Sequence, residues 1–194
     1  MDKVFKTLGA TSHSLNERER DDFYATDPKA LELLLQLETF NKTIWEPACG
    51  QGHLSEVLKI NGYTVISTDL YDRNYGTGGV DFLNCTKLDY SFSTYVDIIT
   101  NPPYKYAQQF VEKALELVND SCRVAMFLRT LFLESKARKE LFKKHPPQYI
   151  YVSSSRIKCA INGDFNALES SALSYSWFIW KKGYVGETTV RGFN

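Results

Sequence analysis

Thr43-Ile44-Trp45-Glu46-Pro47-Ala48-Cys49-Gly50-Gln51-Gly52 decides the fold. The first four residues are β-branched, aromatic or apolar up to Glu46 and read as a short strand, which runs into a turn-forming segment with two glycines. Residues 53 to 60 then read as a helix, closed by Asn61-Gly62. A strand feeding a helix through a glycine-containing loop opens a strand–helix–strand unit.

The alternation continues outward on both sides. Upstream, Asp27 is a natural N-cap and Pro28 suits the first helical position, so a helix is expected over residues 28 to 38. Downstream, residues 63 to 68 form a second strand that ends at Asp69. A polar, glycine-containing loop covers residues 71 to 79, with a short strand expected near residues 79 to 81. Tyr95-Val96-Asp97-Ile98-Ile99-Thr100 reads as a buried strand. It stops at Asn101-Pro102-Pro103, since prolines cannot continue a central ladder. A helix over 105 to 118, a strand over 122 to 128 and a helix over 133 to 144 follow. A strand over 149 to 153, a polar loop over 154 to 171 and a last strand over 173 to 181 complete the pattern. Such alternation predicts an α/β fold, a Rossmann-like and mostly parallel seven-stranded sheet with helices on both faces. Residues 1 to 22 read as a polar arm and residues 23 to 194 as one domain.

Composition narrows the function classes. The 194 residues carry 23 basic and 23 acidic side chains, a formal net charge of zero, so a nucleic-acid surface would have to be local. Cys49, Cys85, Cys122 and Cys159 contain no C-x-x-C pair, and His13, His53 and His145 are scattered. No metal is therefore expected, and the cysteines read as reduced thiols of a cytoplasmic protein. No apolar run has the length to cross a bilayer, and no membrane association is expected. Residues 1 to 20 are polar and mix arginine with glutamate, the composition of neither a secretory signal nor a transit peptide.

Ligands of open α/β sheets lie beyond the carboxyl ends of the strands. Glu46, Asp69, Asp81 and Asn101 all fall there. Gly50 and Gly52 let the backbone turn tightly and approach a ligand, while Ser55 stands where a dinucleotide fingerprint has its third glycine. Asp69, at the end of the next strand, can accept hydrogen bonds from ribose hydroxyls. Asp81 can accept from an adenine amino group, and Phe82 can stack on a purine or simply fill the core. This half alone also fits a nicotinamide dehydrogenase.

The second half narrows the chemistry. An exocyclic amine has its lone pair delocalised into its ring or carbonyl. Accepting hydrogen bonds from both of its N–H groups draws that pair out, and no titrating base is needed. Asn101 offers a side-chain carbonyl, and Pro102 a backbone carbonyl held rigid by its ring and by Pro103. Such acceptors favour the developing positive charge over the ground state. Tyr104 offers a flat face for a planar substrate, and a base in a duplex must first be flipped out.

These residues resemble those of the S-adenosylmethionine-dependent amino methyltransferases, above all the DNA adenine-N6 methyltransferases. Glu46-Pro47-Ala48-Cys49-Gly50-Gln51-Gly52 is similar to their cofactor motif, and Asn101-Pro102-Pro103-Tyr104 to their catalytic motif. Asp69 with the adjoining Leu70, and Asp81-Phe82, match the family's ribose and adenine contacts. Phe23-Tyr24-Ala25-Thr26 resembles the N-terminal motif that closes over the methionine end of the cofactor, which implies cofactor roles for Tyr24 and Thr26. The motif order resembles the gamma arrangement, and residues 22 to 28 resemble small phage and prophage enzymes. The resemblance covers about residues 22 to 181 and implies a class I methyltransferase fold, S-adenosyl-L-methionine as cofactor and DNA as partner.

One departure bears on the substrate. Family members usually carry a target-recognition region, whereas this chain ends soon after its last expected strand. Recognition would fall to the N-terminal arm and residues 154 to 171, or to a partner that supplies specificity. In that loop Phe165 would either form the second face of a base sandwich or simply cover the core, and Arg156 and Lys158 would contact phosphates. Lys136, Arg138, Lys139, Lys143 and Lys144 read as a solvated helix face. RNA adenine and protein glutamine remain alternative substrates, because enzymes acting on them carry the same tetrapeptide or close variants. A non-catalytic cofactor-binding module is the reading outside the class.

Overall fold

The computed structural model describes residues 24–86, 95–155, 157, 159–161 and 173–193. Seven strands form one sheet: β2 (Thr43–Glu46), β3 (Thr64–Ser67), β4 (Val96–Thr100), β5 (Arg123–Arg129), β6 (Tyr149–Ser153), β8 (Tyr175–Lys181) and β9 (Thr189–Phe193). Their order is β3-β2-β4-β5-β8-β6-β9. All pairings are parallel except those of β8, which runs antiparallel to both β5 and β6. A two-stranded ribbon, β1 (Tyr24–Thr26) against β7 (Cys159–Ile161), stands apart from the sheet.

Helices cover both faces. Helix α1 (Pro28–Leu37) starts where expected, with the Asp27 carboxylate accepting from Lys29 N at 3.0 Å. Ala30, Leu31 and Leu34 form its buried stripe, which packs with Leu54, Val57 and Leu58 of α2 (His53–Ile60) on one face. Trp177 Nε1 donates to Ala30 O at 2.9 Å and ties α1 to the middle of the sheet. On the other face, Phe110, Val111 and Ala114 of α3 (Ala107–Leu117) and Leu141 of α4 (Lys139–Lys144) pack against Trp45, Ile98, Met126 and Trp180. All five residues of β4 are buried, as suits a central parallel strand. Its Asp97 is satisfied by Asn41 N at 2.6 Å, Asn41 Nδ2 at 2.8 Å and Arg123 N at 2.7 Å.

Several elements, β1 among them, differ from the sequence expectation. Residues 79 to 81 form no strand: the Asp81 side chain caps a 3₁₀ turn over Phe82–Asn84 instead. The helix expected over residues 133 to 144 is broken into 3₁₀ turns over Thr130–Leu133 and Lys136–Arg138, and α4 spans only Lys139–Lys144. The break holds because Ser135 caps the second turn and Arg138 Nε reaches back to Phe132 O at 2.6 Å. Within residues 154 to 171, β7 is a strand because β1 supplies its ladder partner. The seventh sheet strand is β9, beyond the last one expected. It is an edge strand with four of its five residues exposed, so no buried stripe announces it.

Candidate functional site

A cavity of about 430 Å³ opens at the carboxyl ends of β2, β3 and β4, within the size range of small-molecule sites. Its wall carries Glu46 from the end of β2, Ala48 from the loop that follows, Asp69 and Leu70 from just beyond β3, and Asp81 and Phe82. Asn101, Pro102, Pro103 and Tyr104 come from the end of β4, and Thr26 from β1. The strand-end acids and the Asn101-Pro102-Pro103-Tyr104 tetrapeptide therefore meet in one space.

The loop after β2 is stitched to β3 by Thr68 N to Glu46 O and Cys49 N to Thr68 O, both at 3.0 Å. Asp69 is only 8% exposed and is not a solvated strand-end carboxylate. Its Oδ2 accepts from Gly50 N at 2.8 Å and its Oδ1 from Tyr71 N at 2.9 Å, so it clamps the glycine loop while facing the cavity. Gly50 and Gly52 turn the loop with φ of 55° and 84°. A Cβ on Gly52 would lie 2.3 Å from Tyr75 Cζ, so close approach at this glycine is to a tyrosine ring. Ser55, in place of a third glycine, is fully buried, and its hydroxyl donates to the Glu46 carboxylate.

Glu46 is the site's electrostatic outlier. It is 2% exposed, and burial pushes its carboxyl up to about 8 despite the Ser55 hydrogen bond. Burial also pushes the Cys49 thiol to about 12, so that cavity-wall thiol is inert at neutral pH. Each oxygen of Asp81 accepts one hydrogen bond within its turn, from Leu83 N at 3.1 Å and Asn84 Nδ2 at 2.7 Å. Phe82 is 2% exposed and packs its ring on Trp45 and Phe110 at centroid distances of 5.1 and 4.9 Å, so most of that ring serves the core.

The tetrapeptide after β4 is held from several sides. Asn101 Nδ2 donates to Thr26 Oγ1 at 2.8 Å. Pro103 O accepts from Tyr106 N at 2.9 Å, which starts the 3₁₀ turn over Tyr104–Tyr106. The Tyr104 hydroxyl donates to Cys159 Sγ at 3.7 Å, and its ring lies 5.8 Å from that of Tyr175. The Arg129 guanidinium carbon sits 4.8 Å over the Tyr104 ring. Burial raises the Tyr104 phenol well above its ordinary value, so it stays neutral.

Sequence reasoning passed over Arg129, Cys159 and Arg73. Arg129 ends β5, and the strand-end argument that selected Asn101 applies to it equally. Arg73 lines the cavity with its Nε 4.0 Å from Asp69 Oδ1. Arg138 is not part of a solvated face: its guanidinium is spent on the carbonyls of Leu131, Phe132 and Glu134. Phe23, Phe165, Arg156, Lys158, the arm over residues 1 to 22 and the side chain of Tyr24 lie outside the described residues. Among those described, no group of three or more potential ligands could hold a metal ion, and no helix is long and apolar enough to cross a membrane.

No family model and no curated protein sequence matches the chain. Solved structures do. A protein named as a hemolysin from Lactococcus lactis superposes with a TM-score of 0.61 at 11% identity, over 85% of this chain and 91% of that one. A protein described as a class I S-adenosylmethionine-dependent methyltransferase from Listeria monocytogenes gives 0.55 at 15%, over 85% and 62%. One described as the modification subunit of a type I restriction enzyme from Vibrio vulnificus gives 0.54 at 16%, over 88% and 46%. The likeness is one of fold. The chain thus has the Rossmann-like α/β architecture found in methyltransferases, and it spans less than half of the Vibrio protein and less than two thirds of the Listeria one.

Proposed function

We propose that the chain transfers a methyl group from S-adenosylmethionine to an exocyclic amino nitrogen, N6 of a flipped adenine in DNA. The observation that carries this reading is that Asn101-Pro102-Pro103-Tyr104 lines one cavity with Glu46, Ala48 and Asp69. The acidic wall suits the cofactor, which combines positive charge with ribose hydroxyls. Glu46 is a buried carboxyl that accepts from the neutral Ser55 hydroxyl and is pushed up by burial, the condition a ligand ammonium would relieve. Asp69 and Asp81 keep lone pairs beyond those used locally, enough to accept from ribose and adenine. S-adenosylmethionine would supply an electrophilic methyl on a sulfonium.

The chain's own residues would do the rest. Asn101 Oδ1 and Pro102 O accept the two N–H groups of the target amine and sharpen its lone pair. Tyr104 fixes the plane of the base, and its neutral phenol takes no proton. The resemblance of the glycine loop and of Asn101-Pro102-Pro103-Tyr104 to the motifs of DNA adenine-N6 methyltransferases favours DNA. Incubation with methyl-labelled S-adenosylmethionine should label adenine-containing DNA, and Asn101→Ala should lower the rate at least a hundredfold while the fold persists. Label confined to RNA or to a protein glutamine would replace the substrate and keep the chemistry. Absence of cofactor binding by calorimetry would overturn the whole reading.

A further inference from the structure

The two polar side chains of the catalytic tetrapeptide are held by a single rung of the β1–β7 ribbon. Thr26 and Cys159 are cross-strand partners in that ribbon. Asn101 Nδ2 donates to Thr26 Oγ1 at 2.8 Å, and the Tyr104 hydroxyl donates to Cys159 Sγ at 3.7 Å. Both rung residues are buried, Thr26 at 2% exposure and Cys159 at 8%. The ribbon has no ladder to the main sheet, so this rung holds the motif through side chains.

A carboxamide has one donor end and one acceptor end. Rotating it by half a turn exchanges them at almost no steric cost, so packing alone fixes its direction poorly. The Thr26 hydroxyl pins one branch of the amide: it accepts from Nδ2 at 2.8 Å, which leaves Oδ1 on the branch turned away from Thr26. A hydroxyl can also donate, so it fixes the place and plane of the amide, while the substrate's own N–H donors select the carbonyl branch. We propose that Thr26 is a positioning residue, whose hydroxyl anchors the Asn101 amide in the place from which its carbonyl meets the substrate amine, with Cys159 setting Tyr104 from the same rung. This rests on the methyl-transfer reading. It assigns the Thr26 hydroxyl to the placing of Asn101 rather than to the cofactor contact that the resemblance implies.

The test compares Thr26→Val, which keeps the shape and removes the acceptor, with Thr26→Ser, which keeps the hydroxyl. Losing one orienting hydrogen bond should lower kcat about tenfold in Thr26→Val. The S-adenosylmethionine Kd, read by calorimetry, should move by less than about threefold. Thr26→Ser should recover most of kcat. A Thr26→Val enzyme with unchanged kcat, or one whose loss lies in cofactor affinity, would overturn the assignment, as would a Thr26→Ser enzyme no better than Thr26→Val. A second readout needs no turnover. The melting-temperature losses of Thr26→Val and Asn101→Ala should be less than additive, since both remove the same bond. Additive losses would overturn the positioning contact even if methyl transfer is observed. Non-additive losses in a protein that transfers no methyl group would preserve the contact and sink the function.

Discussion

Glu46 shows how one residue's environment becomes a measurable property of the protein. Its carboxyl is raised from 4.5 to about 8 by burial, so with the cavity empty the native state holds a proton that the unfolded chain has already lost. The native state therefore binds more protons between those two values, and stability falls as pH rises through that window. Below about pH 4.5 both states are protonated and the term vanishes. From pH 5 to pH 8 the loss should reach about 3 kcal/mol. Glu46→Gln cannot ionise, so urea unfolding of that variant should show a flatter profile across this range, with its largest relative gain near pH 8. Parallel profiles for the two proteins would contradict the assignment. The carboxylate itself was legible in the sequence as a strand-end acid before a glycine loop. Its protonation was not, because that depends on Ser55 and on burial, which only the assembled fold creates.

At the scale of elements, the loop into α2 was read correctly for position and only partly for cause. Gly52 was expected to let a ligand approach. What approaches is the ring of Tyr75, whose hydroxyl is held by Lys59 Nζ at 2.8 Å and donates to Glu56 Oε1 at 2.6 Å. A side chain here meets both a left-handed backbone angle of 84° and that ring. Gly52→Ala should cost about 1–3 kcal/mol in denaturant unfolding. The cost should shrink in a Tyr75→Ala background, and an undiminished cost there would place the strain in the backbone alone. The same scale separates what local pattern can reveal from what it cannot. Strands β2 and β4 are buried runs bounded by turn residues, and both were found to within a residue or so. The ribbon strands β1 and β7 are three residues each and distant in sequence, so each exists only because the other is present. The broken helix before α4 failed for a related reason: its apolar and basic residues have helical character, but Arg138 satisfies carbonyls that a continuous helix would have used itself.

Across the whole molecule, the sheet divides the apolar interior into two layers, one against α1 and α2 and one against α3 and α4. Tyr104 packs against both. It leaves the end of β4 where the layers meet, with Arg129 over its ring, Tyr175 beside it and Cys159 at its hydroxyl. The residue expected to stack on the substrate is thus also a seam between the two cores. Its two roles should separate by substitution. Tyr104→Phe keeps the ring and gives up the hydroxyl's hydrogen bonds, among them the weak one to the Cys159 sulfur, so it should retain methyl transfer within about threefold and lose about 1 kcal/mol of stability. Tyr104→Ala removes the ring from both layers and should cost about 2–3 kcal/mol, together with at least a tenfold loss of kcat. Thermal unfolding and the labelled-transfer assay on the two variants check this together. If Tyr104→Phe lost activity as severely as Tyr104→Ala, the hydroxyl would matter to the chemistry directly, and the neutral stacking role would be wrong. If Tyr104→Ala kept its stability, the ring would not be part of the seam, and the joining of the two layers would rest on the strands alone.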